Sequence, residues 1–420
     1  MNTKKKTSSV FLLLFMCWLV YSMSYLGKVN FTASKLSVMT HFGVLEDEVG
    51  LVGTFFFFSY AIGMLFNGIF CKKYNIKWVV FSALMISSII NFIIPLVSVE
   101  NFWIIKFMWM VNGVVLSVLW PSLIRLLSET LPTNKMPSAS RVMGTTVATG
   151  TFIIYGLSAL FSHLQVFQLA FYVPAIVGPT VGILWLITYK KATVKQEDLE
   201  QEFKADAIKQ VRTKSKLSTN ILIIICCLAL FAVITNLLKD GLTSWVPKIL
   251  KDSFELPDSI SILMALGIPA MGIVANFITV WLAGKAKNLI FLEGCFFMVA
   301  GAMVVAIILL LSTDQVVITF ACLMFVSLVA SGSNNIITSI FPLYMKGKVN
   351  SGLIAGVLNS FCYLGSTISD YGLGAVKVAT NSWNAVFYVL LGASAIVVVV
   401  SIVYTVVNAI VQKKKRIVIE

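Results

Sequence analysis

Two lysines lie deep within long apolar segments of the chain. Lys28 follows the run VFLLLFMCWLVYSMSYLG, and Lys239 follows the run ILIIICCLALFAVITNLL. A charged side chain near the centre of a bilayer costs at least about 2.5–3.5 kcal/mol on insertion scales, so it is a functional-site hypothesis by default. Each lysine occurs in the first apolar segment of one half of the chain. This matching placement predicts that the two cations together bind an anion.

The residues before each lysine have the spacing of a helix face. Tyr21, Tyr25 and Lys28 stand at i, i+4 and i+7, which places them on one face of an α-helix. Asn236 and Lys239 stand at i and i+3 and share a face in the same way. A cation with phenol and amide neighbours suits an anion that carries hydroxyl groups. For each tyrosine, the alternative is aromatic packing between helices.

Acidic residues offer a second interpretation of the lysines, namely ion pairing. Asp240 adjoins Lys239, but successive helix side chains point about 100° apart, which disfavours a pair within the helix. Tyr363, Ser366 and Asp370 share a face of a later segment at i, i+3 and i+7. Asp240 and Asp370, as carboxyl groups within apolar segments, are candidate proton carriers. For Asp370, the alternative is exposure near the outer end of its helix.

One further pair of charges has helix spacing. Arg125 and Glu129 stand at i and i+4 near the cytoplasmic end of the fourth apolar segment. This spacing predicts a salt bridge, with either a structural or a gating role.

The composition requires a bilayer as the solvent of these segments. The 420 residues are 58% hydrophobic and only 12% charged, with a mean hydropathy of +0.92. About 20 apolar residues cross the roughly 30 Å of hydrocarbon. The chain is therefore predicted to be an all-α membrane protein with twelve transmembrane helices. The predicted segments are residues 8–40, 47–71, 78–98, 102–131, 140–163, 167–189, 219–251, 258–283, 289–312, 315–344, 350–378 and 382–411.

The net charge of +14 is distributed as a topology signal. Lysine and arginine cluster in alternate connections, and the connections between them are short and often acidic. This is the positive-inside pattern, which predicts both termini in the cytoplasm of a multi-pass protein of the plasma (inner) membrane. It also argues against nucleic acid as a partner. The basic connections are residues 4–6, 72–77, 135–141, 190–218, 285–287, 346–348 and 413–416.

The only long polar connection divides the chain in two. Residues 190–218 are predicted to be a cytoplasmic linker between a six-helix bundle at 1–189 and a second at 219–420. No metal-ligand spacing occurs among the seven scattered cysteines, and no nucleotide-binding or nucleophile motif is present. The sequence therefore predicts no metal, no cofactor and no enzymatic activity, and it favours a monomer.

Four segments resemble a known family. They are residues 21–31 (YSMSYLGKVNF), 120–125 (WPSLIR), 237–247 (LLKDGLTSWVP) and 363–365 (YLG). They are similar to motifs of the organophosphate:phosphate antiporters, the bacterial glycerol-3-phosphate and hexose-phosphate transporters. The resemblance implies the major facilitator fold, in which two six-helix bundles rock about a midplane site.

The resemblance also implies roles for particular residues. Lys28 and Lys239 stand where that family has arginines that bind a phosphoryl group, with Tyr21, Tyr25 and Tyr363 around them. A histidine of the family's fifth span corresponds here to Thr145 or Thr146. Lysine lacks the bidentate fork of arginine but still binds phosphate as a point charge. The substrate is thus either another organophosphate or a carboxylate such as a sugar acid.

The predicted function is secondary active transport of a small organic anion by alternating access, in exchange for inorganic phosphate. The first alternative is proton-coupled symport of a carboxylate, with Asp240 or Asp370 carrying the proton. The second is a non-transporting anion sensor, because the resembling family includes a sugar-phosphate receptor.

Overall fold

The computed structural model describes residues 2–70, 74–131, 139, 142–192, 219–286, 288–344 and 351–417. The helices of the first half are α1 Asn2–Ser24, α2 Leu26–Ala33, α3 Lys35–Phe42, α4 Glu46–Phe70, α5 Ile76–Ile93, α6 Phe102–Leu116, α7 Leu119–Thr130, α8 Thr146–His163 and α9 Leu169–Ala192. Those of the second half are α10 Thr219–Phe254, α11 Asp258–Met264, α12 Gly267–Lys285, α13 Leu289–Leu310, α14 Val316–Asn335, α15 Phe341–Tyr344, α16 Ser351–Thr380 and α17 Trp383–Ile417, with a π-helix at Ile336–Ile340.

The helices confirm the predicted all-α membrane fold. Eleven segments of the described chain are long and apolar enough to cross a bilayer. The thirty-residue helix α16 lies between the last two of them and, at 1.5 Å per residue, is also long enough to span the hydrocarbon. Together these account for the twelve predicted spans.

The first span differs from its prediction as one continuous helix. It is divided into α1, α2 and α3, with breaks at Tyr25 and Ser34. At the first break, the Tyr25 amide donates to the Ser22 carbonyl at 3.2 Å. The Ser24 hydroxyl donates to the Tyr21 carbonyl at 2.7 Å. A serine that bonds a nearby carbonyl competes with the helix ladder, so the break falls one turn before Lys28.

The chain divides into two compact units. Unit 1 comprises Met1–Gly43, Phe55–Lys214 and Asp258–Leu263, and unit 2 comprises Val44–Thr54, Ser215–Pro257 and Met264–Glu420. Most of the predicted linker, residues 193–218, lies outside the described residues. The predicted boundaries at 189 and 219 therefore stay a prediction.

In each unit, a glycine allows two helices to pack with their backbones in close contact. In unit 1, a side chain at Gly150 of α8 would overlap the Ser22 carbonyl oxygen and would reach the Tyr25 Cβ at 2.5 Å. In unit 2, a side chain at Gly365 of α16 would overlap the Val233 carbonyl oxygen of α10. Small residues allow membrane helices to approach this closely. Both contacts lie beside segments that carry a predicted site residue.

Candidate functional site

Lys28 of unit 1 is held against aromatic rings. The side chain is buried, with 8% of the residue exposed. Its Nζ lies 3.9 Å from the centroid of the Tyr60 ring and 4.9 Å from that of Tyr25. A desolvated cation over a ring gains about 2 kcal/mol or more. Aromatic rings stabilise the cation without cancelling its charge.

The contact of Tyr60 with Lys28 was not predicted from the sequence. Tyr60 lies on α4 and is 1% exposed, within the run FFFFSYAIG, where nothing in the spacing distinguishes it from packing residues. The sequence feature that could have indicated Tyr60 is a tyrosine among phenylalanines in the span that follows the one carrying Lys28.

Tyr21 and Tyr25 of unit 1 both take part in ring packing. The Tyr21 ring lies 4.7 Å from the Trp120 ring and 5.4 Å from the Tyr25 ring, measured between centroids. Trp120 belongs to the resembling segment of the fourth span, which is thus brought to the face of Tyr21. The packing interpretation is confirmed for both rings, and their contact with an anion stays a prediction.

Thr145 of unit 1 lies where α8 begins. Its Oγ1 accepts a hydrogen bond from Trp18 Nε1 at 3.0 Å and donates to the Val142 carbonyl at 2.7 Å. Trp18 stands one turn before Tyr21 on α1, so Thr145 is linked to the tyrosine-bearing helix. A direct role in binding stays a prediction.

Buried amides fix the helix that carries Lys28. Asn30 of α2 donates to Asn91 Oδ1 at 2.7 Å and to the Ala170 carbonyl at 3.1 Å. Asn112 donates to the Gly27 carbonyl at 2.9 Å. All three asparagines are fully buried, and hydrogen bonds in such surroundings position a helix strongly. They join α2 to α5, α6 and α9 on either side of Lys28.

Lys239 and Asp240 of unit 2 form a salt bridge. Lys239 Nζ lies 2.7 Å from Asp240 Oδ1, and the two side chains are 31% and 17% exposed. The ion-pair alternative for Lys239, which helix spacing was expected to disfavour, is the one that the structure shows. Although the side chains of adjacent helix residues diverge by about 100°, the four-carbon lysine side chain is long enough for its Nζ to reach the Asp240 carboxylate. The lysine of unit 2 therefore has a resident carboxylate partner.

A polar network surrounds this pair. The Ser366 hydroxyl of α16 donates to Asp240 Oδ2. Asn236 Nδ2 donates to Ser366 Oγ at 3.3 Å, and Asn236 Oδ1 accepts from Asn334 Nδ2 of α14 at 2.8 Å. Asn334 was missed because SGSNN in the tenth span has no motif of its own. The network joins α10, α14 and α16 around Lys239.

The remaining predicted residues of α16 have separate surroundings. Tyr363 is half-buried, and its carbonyl accepts a bond from the Thr367 hydroxyl at 2.8 Å. Asp370 is 1% exposed and accepts a hydrogen bond from Ser244 of α10. The alternative of an exposed Asp370 is therefore wrong. Its proposed role in coupling stays a prediction.

The predicted salt bridge of the fourth span is present in unit 1. Arg125 Nε lies 2.7 Å from Glu129 Oε1, and Arg125 also donates to the Tyr74 carbonyl at 3.4 Å. The pair is partly exposed, at 22% and 41% of the two side chains. Such a pair contributes little stability by itself, and its gating role stays a prediction.

Within the described residues, no group of three or more histidine, cysteine, aspartate or glutamate side chains could hold a metal ion.

Comparisons with known proteins add a family and a fold. The sequence profile of the Major Facilitator Superfamily matches residues 11–369. Sugar phosphate exchanger 3 of Homo sapiens is 28% identical over 85 residues, a stretch that covers 19% of this chain and 17% of that protein. The Mus musculus protein of that name matches with the same identity and coverage. The similarity thus spans less than a fifth of the length of these relatives.

Solved structures share the fold at low sequence identity. A bacterial homologue of the human lysosomal transporter Spinster, in an inward-facing and occupied conformation, has a TM-score of 0.71 at 14% identity, covering 95% of this chain and 94% of that chain. A D-xylose–proton symporter has a TM-score of 0.70 at 10% identity, covering 94% and 96%. At such identities the similarity concerns the fold alone.

Proposed function

The chain belongs to the Major Facilitator Superfamily, and from this premise we propose that it transports a small organic anion by alternating access. The observation that carries the proposal is a lysine within a membrane helix of each unit, among phenol, amide and hydroxyl groups. Lys28 lies over two phenol rings, and Lys239 lies beside Asp240 in a polar network. Charges placed at this depth mark substrate pathways in transporters.

Phosphate exchange is the favoured mode of coupling. The short similarity to sugar phosphate exchanger 3 and the motifs around both lysines support a phosphorylated substrate. An anion that binds Lys239 competes with the carboxylate of Asp240. In an exchanger, the bound substrate or the returning phosphate lowers the barrier to switching.

The distribution of charge along the chain supports a membrane and a topology. We place the chain in the plasma (inner) membrane with both termini in the cytoplasm, because the basic connections alternate with the acidic ones.

Counterflow in proteoliposomes tests the function. Purified protein is reconstituted with and without internal phosphate, and uptake is measured for a panel of sugar phosphates and sugar acids. We expect internal phosphate to accelerate the uptake of a phosphate ester. Uptake of a sugar acid driven by an imposed pH gradient, without internal anion, would contradict exchange and support the proton-coupled alternative.

Replacing both lysines with arginine tests the headgroup. In the Lys28→Arg, Lys239→Arg double variant, we expect phosphate-ester binding to be retained, because the guanidinium fork fits a phosphoryl group and also stacks on rings. Binding isotherms for a sugar phosphate and a sugar acid measure this. Loss of phosphate-ester binding while sugar-acid binding is unchanged would show that the site is built for a carboxylate.

Removing the charge of Asp240 tests its role as a resident competitor. In Asp240→Asn, Lys239 has no carboxylate to leave, so we expect anion affinity to rise roughly three- to tenfold, equivalent to about 0.7–1.4 kcal/mol. Counterflow should persist. The matched control is Asp252→Asn on the same helix, since Asp252 pairs with Lys248 at 2.6 Å outside the network of Lys239. Weaker anion binding in Asp240→Asn alone would contradict the competitor role.

A further inference from the structure

A carboxyl group lies fully buried in a membrane helix of unit 2 that the proposed anion site does not use. Glu293 of α13 has no exposed surface, and its segment Leu289–Leu310 has a mean hydropathy of 2.3. Its Oε2 accepts a hydrogen bond from Ser333 Oγ at 2.5 Å. In the part of the chain that the structure describes, Oε1 has no hydrogen-bond partner.

The surroundings of Glu293 favour a neutral carboxyl group. Among the described residues, no lysine, arginine or histidine lies within salt-bridge distance of it. A buried carboxylate with one hydroxyl donor and no cation is costly, and that cost disappears when the group binds a proton. Residues of this kind in membrane helices carry protons in pumps and transporters.

Hydrogen bonds lead from Glu293 toward the Lys239 network. Ser333 Oγ lies 2.8 Å from Thr235 Oγ1 of α10. The next residues on the same two helices, Asn334 and Asn236, bond to each other at 2.8 Å. The helices α10 and α14 thus share two adjacent polar contacts, one toward Glu293 and one toward the partners of Asp240. A change of protonation at Glu293 is therefore placed to alter the anion half-site.

Other titratable groups face this region from the helices packed around α13. The thiol of Cys362 on α16 lies within electrostatic range of Lys239, Asp240 and Glu293. Of the helices packed against α13, α10 carries Cys227, Lys239 and Asp240, α14 carries Cys322 and α17 carries Tyr404.

We propose that Glu293 is a proton-binding site whose occupancy is linked through Ser333 and Thr235 to the anion half-site at Lys239. Binding forms one O–H bond on a carboxylate oxygen and removes one negative charge, and release breaks the same bond and returns the proton to water. The linkage to anion binding rests on the proposed function, whereas proton binding itself does not.

Infrared spectroscopy of the purified full-length protein in lipid nanodiscs tests the proton directly. At neutral pH, we expect a carbonyl stretching band of a protonated carboxylic acid that is absent from Glu293→Gln. The matched control Glu100→Gln, at an exposed position, should keep the band. An identical band in Glu293→Gln and wild type would overturn the proposal.

A second pair of variants decides the matter if Glu293→Gln does not fold. Ser333→Ala retains the acid and removes its hydrogen-bond donor, so the band should shift to higher frequency. Ser327→Ala is the control, because Ser327 is equally buried on α14 and, among the described residues, its hydroxyl has no partner. An unshifted band in Ser333→Ala would overturn the assignment. Replacement of the acid band by a carboxylate band on adding sodium would also overturn it, in favour of a sodium site.

Inorganic phosphate then tests the linkage. We expect added phosphate to change the amplitude of the Glu293 band, and this change should be lost in Ser333→Ala. A band that persists unchanged while a separate isotherm shows phosphate binding would overturn the linkage. Absence of phosphate binding in the isotherm would count against phosphate exchange, while the band in phosphate-free buffer still decides the proton site.

Discussion

Anion binding is expected to fall by roughly a hundredfold or more when either Lys28 or Lys239 is replaced with alanine, because each variant removes a membrane-embedded cation that we propose as an anion ligand. The loss should be larger for Lys239→Ala, because Asp240 then stays as an uncompensated negative charge beside the anion. Adding Asp240→Asn to Lys239→Ala should recover part of the affinity. Binding isotherms on the purified variants measure all three effects.

The variant Lys106→Ala is a matched control for these substitutions. Lys106 is carried by α6, and its Nζ lies 5.7 Å from the centroid of the Phe102 ring, so Lys106→Ala also removes a lysine beside an aromatic ring. Lys106 lies outside the proposed site, so the Lys106→Ala variant should bind the anion as the wild-type protein does. Wild-type affinity in both Lys28→Ala and Lys239→Ala would show that the two lysines do not form the site.

Gly365→Ala is expected to destabilise unit 2 by about 1–3 kcal/mol or more, the usual cost of overpacking a close-packed interior. The added methyl group would overlap the Val233 carbonyl oxygen and would lie 3.1 Å from the Leu237 amide nitrogen, both on α10. A backbone cannot turn aside as a flexible side chain can, so the two helices must separate. The adjacent Ser366 would then move away from Asp240, and anion binding should weaken as well.

Thermal unfolding followed by size-exclusion chromatography measures this effect. Gly356→Ala is the control, because Gly356 lies on the same helix and a side chain there would meet nothing within 4 Å. Its melting temperature should stay close to that of wild type. Equal melting temperatures for Gly365→Ala and wild type would contradict the close contact between α10 and α16.

The sequence by itself determined the class of the protein and the number of its spans. The length of an apolar helix is set by the thickness of the bilayer, so the segments could be counted without any tertiary contact. The pair Arg125–Glu129 was also predictable, because i,i+4 positions on a helix are neighbours whatever surrounds them. The two lysines were identified because a charge in an apolar segment stands out by composition alone.

Only the tertiary structure decided the surroundings of those lysines. Tyr60 reaches Lys28 from another helix, and Asn334 reaches Asn236 from a position 98 residues away. In a membrane protein, lipid-facing and buried surfaces are both apolar, so hydropathy does not show which face of a helix meets which neighbour.

The break at Tyr25 and the pair Lys239–Asp240 were hidden for a different reason. The break depends on the rotamer of Ser24, which bonds the Tyr21 carbonyl, and the pair depends on the rotamer of a long lysine side chain. Glu293 was not identified from the sequence, and only its burial and its bond to Ser333 distinguish it. Backbone periodicity fixes where a side chain begins, whereas its partner is chosen by the helices that pack around it.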